Sequence, residues 1–123
     1  MIIEKDRYNS DFYYQKWLAT DKSKDVIYIE DIEINNYDPK FADIVDSFWK
    51  NISEIDNYIQ SVCDEMHRKS DWEENNFILD LAWIEIHEDG ITLRYWGRII
   101  NVELGAECTF IDGKWEINNI CYP

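Results

Sequence analysis

Residues 41–66 read FADIVDSFWKNISEIDNYIQSVCDEM, and the fold turns on how this stretch is read. Phe41, Ile44, Val45, Phe48, Ile52, Ile55, Ile59, Val62 and Met66 recur at steps of three and four. That spacing lays a single apolar stripe along one long helix. Ahead of it, Asp38-Pro39 supplies an N-cap and a first-turn proline. Behind it, His67-Arg68-Lys69 suits the negative end of the helix dipole. A stripe of this length needs a broad apolar surface to cover it.

The C-terminal half offers that surface as strands. Phe77–His87 is rich in aromatic and β-branched residues, and Asp89-Gly90 predicts a hairpin turn into Ile91–Trp96. Gly97 breaks the run. From Ile100 to Phe110 the even positions are apolar and most odd positions polar, which predicts one buried and one wet face. Asp112-Gly113 turns the chain into a last strand, Lys114–Ile120. Upstream of the helix, Phe12–Leu18 and Val26–Ile34 read as two more strands joined through Asp21–Asp25. Ile27 and Ile29 are out of phase with Ile32 and Ile34, so a bulge near Glu30-Asp31 is expected. The expected architecture is one α+β domain over residues 1–123. It is a curved antiparallel sheet of five to six strands with one long helix packed on one face.

The chain is 46% hydrophobic and 15% aromatic, enough to build a core despite a net charge of −14. The start, Met1-Ile2-Ile3-Glu4-Lys5-Asp6, does not read as a signal peptide, and no apolar run approaches bilayer length. Cys63, Cys108 and Cys121 are odd in number and form no CxxC, so they read as reduced core residues of a cytosolic protein. An excess of carboxylates opposes direct contact with nucleic acid or an anionic membrane, because phosphates are held by Lys and Arg. It suits a basic protein partner.

The residues of catalysis are present without their patterns. His67 sits in a helix-terminal basic run. His87 ends a strand beside Glu88-Asp89, without metal-ligand spacing. Ser53 and Ser61 lie inside the helix, and glycines 90, 97, 105 and 113 form no phosphate loop. Paired carboxylates are too abundant for any one pair to stand out. No catalytic residue, metal ligand or cofactor is expected, and the chain reads as a binding protein rather than an enzyme.

The acids are clustered. Asp25–Asp46 holds seven acids and Lys40, a net of −6, and Asp71–Asp89 holds seven acids and no base, a net of −7. Aromatics stand among them: Tyr28, Tyr37, Trp72 and Trp83. Trp83 reads as core, whereas Trp72 lies in the polar connection Ser70–Asn76, where an indole has less reason to be. The expected partner-binding surface is Glu30, Asp31, Glu33, Asp71, Trp72, Glu73 and Glu74. The other face in play is the wet side of the Ile100–Phe110 strand, carrying Asn101, Glu103, Glu107 and Thr109.

Leu93-Arg94-Tyr95-Trp96-Gly97, Asn101-Val102-Glu103 and Asp112-Gly113-Lys114-Trp115-Glu116-Ile117, together with the preceding helix, resemble small immunity proteins of bacterial polymorphic-toxin and contact-dependent growth inhibition systems. The resemblance covers the C-terminal two thirds. It implies neutralisation of a cognate toxin, often a nuclease, in the cytosol of the producing cell. A nuclease must be basic where it holds phosphates, and an acidic protein can occlude that site. The same motifs also resemble cystatin-like α+β enzymes and ligand-binding modules, which would place a pocket between helix and sheet. A DNA-mimicking regulator is a third reading. The resemblance carries over no residue roles, and oligomeric state is left open.

Overall fold

The computed structural model describes residues 10–67, 79–97 and 102–121. The long helix forms as its stripe predicts. Asp38 accepts the Lys40 amide at 3.0 Å and opens a short 3-10 turn, Pro39–Phe41, which runs into α2, Ala42–His67. Val45, Phe48, Ile52, Ile55 and Ile59 are buried, and Trp49 and Cys63 widen the stripe. The side chains of Met66 and His67, and residues Arg68 and Lys69, lie outside the described residues.

The N-terminal segment departs from expectation. Its aromatic run reads as a strand by propensity, yet Ser10–Leu18 is a helix, α1. Tyr13, Tyr14 and Trp17 fall at helical spacing and turn toward α2. Tyr13 stacks on Trp49 with ring centroids 5.9 Å apart, and the fully buried Trp17 donates its indole N–H to Asp46. Docking against α2 therefore overrides local propensity.

The expected bulge near Glu30 is instead a two-residue turn. β1, Ile27–Ile29, pairs antiparallel with β2, Ile32–Asn35, so Ile27 lies opposite Ile34 and Ile29 opposite Ile32. Reversing the chain brings the two out-of-phase pairs to one face. Glu30 takes a φ of 53° to make the turn. After α2, a meander runs through β3 (Leu79–His87), β4 (Gly90–Gly97), β5 (Glu103–Ile111) and β6 (Lys114–Cys121). Together the six strands form an open sheet in the order β1-β2-β3-β4-β5-β6. Every neighbouring pair is antiparallel except β2–β3, which is parallel because α2 carries the chain back to the starting end.

Two local differences lie in β3 and β4. The β3–β4 turn is Glu88-Asp89 rather than Asp89-Gly90, since His87 pairs with Gly90. Gly90 is a strand residue whose added Cβ would stand 2.1 Å from the Cys108 carbonyl oxygen. The second difference is a bulge between Leu81 and Trp83. Leu79 and Leu81 point inward, and the bulge rephases the strand so that Ile84 and Ile86 follow them. Trp83 is thereby turned to the outer face instead of the core.

One buried cluster unites α2, the inner sheet face and Trp17. Within it Gln60, 2% exposed, donates to the Leu79 carbonyl at 2.9 Å and to buried Asp56 at 3.4 Å. At the far side Trp115 edges onto Phe48, and its Nε1 donates to Ser47 Oγ at 3.1 Å. Cys63 and Cys108 are buried and Cys121 is exposed on the last strand, a departure from its expected place in the core. No disulfide joins them. No helix among the described residues is long and apolar enough to cross a membrane.

Candidate functional site

The outer sheet face is open to solvent, and the strand register orders it into rows. One row runs Tyr28–Glu33–Trp83–Arg94–Gly105 across five strands. On one side of it lies Asp80–Trp96–Glu103, and on the other Asn35–Glu85–Thr92–Glu107–Asn118. Alternation puts all these residues outward because Ile34, Ile84, Leu93 and Leu104 between them are buried. Tyr28 is 68% exposed and Trp96 52%. Trp83 is half-buried beneath Arg94, whose guanidinium stands 5.3 Å from the ring centroid. Arg94 also reaches Glu103 at 4.0 Å, with both side chains nearly half exposed.

Carboxylates surround these aromatics. A hydrogen bond to Glu33, and then its charge, hold the Tyr28 phenol above its ordinary pKa. Asn36 donates to Glu85 at 3.2 Å and Asn119 to Glu107 at 2.7 Å. These amides orient the two carboxylates.

The expected site residues separate. Glu30 and Asp31 form the exposed β1–β2 turn, where Lys16 of α1 lies 3.2 Å from Glu30. Glu33 stands on the outer sheet face. Asp71, Trp72, Glu73 and Glu74 lie outside the described residues, as does Asn101. The Asp25–Asp46 block is not one surface. Asp38 caps the helix entrance, and Asp46 accepts from Trp17. Both face the buried Tyr37, whose phenol is pushed upward by burial first, then by Asp46 and Asp38.

The sequence reading did not single out Asp80, Glu85, Arg94 or Trp96. Asp80 and Glu85 belong to the second acidic block and Glu33 to the first. Parallel pairing of β2 with β3 brings these three onto one face, where the wet side of β5 adds Glu103 and Glu107. The alternation of β3–β5 carried this signal, but the bulge at Leu81/Trp83 hid the phase.

Two of the hollows among the described residues bear on small-molecule or metal binding. One of about 740 Å³ opens between α2 and β6, lined by Asn51, Glu54, Tyr58, Lys114, Trp115 and Glu116 among others. The other surrounds His87, Glu88, Asp89 and Glu107, with His87 Nε2 hydrogen-bonded to Thr92 Oγ1 at 2.8 Å. Among the described residues, no three His, Cys, Asp or Glu side chains gather closely enough to hold a metal ion.

No family model, curated protein or solved structure matches this chain. The functional reading therefore rests on the surface itself.

Proposed function

We propose that this chain is an immunity protein that neutralises a basic nuclease toxin by laying the acidic outer face of its sheet over the toxin's phosphate-binding cleft. The observation that carries the reading is the convergence of Glu33, Asp80, Glu85, Glu103 and Glu107 around exposed Tyr28 and Trp96. Carboxylates on a rigid sheet can stand in for phosphates, and exposed Tyr and Trp are the side chains that most often anchor interfaces. The β1–β2 turn extends the acidic area with Glu30 and Asp31. Complementary charge accelerates encounter, and a desolvated aromatic slows release.

The test is to seek a toxin domain among the neighbouring genes and assay that domain with this protein. An equimolar amount of the protein should abolish its nuclease activity. Association should slow as salt rises, and slow further when Glu30, Asp31 and Glu33 are reversed to Lys. Nuclease activity that survives a molar excess of folded protein would refute the reading. A second reading, a small enzyme or ligand binder, is favoured by the hollow between α2 and β6, which Glu54, Lys114 and Glu116 help to line. Binding of a small molecule there would perturb Trp115 fluorescence and leave the outer sheet face unchanged.

A further inference from the structure

We infer that the Asp80–Trp96–Glu103 row is a seat for one cationic side chain, a lysine or arginine of the basic partner. The inference rests on the binding function proposed above and names what one part of that surface reads. The three residues are directly paired on adjacent strands, β3, β4 and β5. Strand spacing of about 4.8 Å therefore sets a carboxylate on each side of one indole. Trp96 is 52% exposed, whereas its neighbour Tyr95 is fully buried, so the outer indole lies on a fixed strand. A hollow of about 660 Å³ opens beside it, lined by Trp96, Gly97, Val102 and Glu103. This space admits a long side chain. An aromatic face attracts a cation through its quadrupole, and flanking carboxylates add charge.

The protein already makes the same contact once within its own face. Two residues along β4, Arg94 lies over the Trp83 indole and reaches Glu103 at 4.0 Å. Trp83 is thus an indole occupied by an internal guanidinium, and Trp96 is its exposed counterpart one row away. Glu103, paired with Trp96 across β4 and β5, is also within reach of Arg94. Its contact with Arg94 is long and solvent-exposed, so it can turn to an incoming cation. Arg94 then competes with that cation for Glu103.

The probe is an acetylated tetra-arginine amide, titrated into the folded protein at low salt while indole N–H and backbone amide resonances are followed. Tetra-glutamate serves as the control. The Trp96 indole should shift saturably with the arginine peptide and not with the control. Asp80→Asn combined with Glu103→Gln should weaken binding by about tenfold, and Arg94→Gln should tighten it. A Trp96 shift that the double variant leaves unchanged would show that the row does not read the charge. Shifts confined to Glu30–Glu33 would overturn the seat and leave the acidic-surface reading standing. If no resonance moves with the peptide, the seat and the acidic-surface reading fall together.

Discussion

Gly90 and Gly113 look alike in the sequence, each following an aspartate, yet they answer to different constraints. Gly113 completes the β5–β6 turn with a φ of +76° and has nothing within 4 Å of an added Cβ. Ala at 113 should cost about 1 kcal/mol, the penalty of a left-handed backbone. Ala at 90 would collide with the Cys108 carbonyl and force β4 from β5, so it should cost about 3 kcal/mol. Urea denaturation of both variants should give that order, and equal midpoints would deny the close approach. Cys108 beneath Gly90 offers a second check. Burial pushes its thiol up to about 12. The thiol of the unfolded chain ionises near 9, so its contribution to stability is intact below that pH. It is lost as pH rises from there through about 12. Replacing Cys108 with Ala should lessen the fall of stability with pH in that window, the raised Tyr28 and Tyr37 phenols keeping part of the slope. In the native protein at neutral pH, Cys121 should react with a thiol reagent at once, and Cys63 and Cys108 only on unfolding.

At the scale of elements, α2 was legible from one long periodicity, and the β3–β6 meander from its strand-forming runs and turn residues, although the bulge in β3 hid that strand's phase. α1 and the β1–β2 turn were not. In Phe12–Leu18 the aromatics satisfy strand propensity and helical spacing together, and contact with Trp49 and Asp46 decides between them. Trp17→Ala should therefore cost about 3–5 kcal/mol. Asp46→Ala, which strands the buried indole N–H, should cost about 1–3 kcal/mol. Calorimetric melts would measure both, and an unchanged melt for Trp17→Ala would detach α1 from the core. The candidate surface was legible only in part. Glu33, Glu103 and Glu107 follow from alternation, but no local pattern announces that β2 runs parallel to β3. The bulge that sends Trp83 outward is a one-residue event, and it inverts the face assigned to everything on one side of it.

Over the whole molecule, the net charge of −14 sets a self-repulsion that the fold must absorb. Raising sodium chloride from low to physiological concentration should raise the melting temperature, with most of the gain at the low end, where screening changes fastest. A flat response would mean that the carboxylates are already neutralised by internal partners. The parallel β2–β3 pairing has a consequence for how the chain comes off the ribosome. The meander pairs neighbours in sequence, whereas Glu33 meets Trp83 fifty positions later. Synthesis therefore delivers the β1–β2 hairpin before the strand that receives it has been made. Until β3 has left the exit tunnel, the β2 edge of that hairpin stands open to any passing chain.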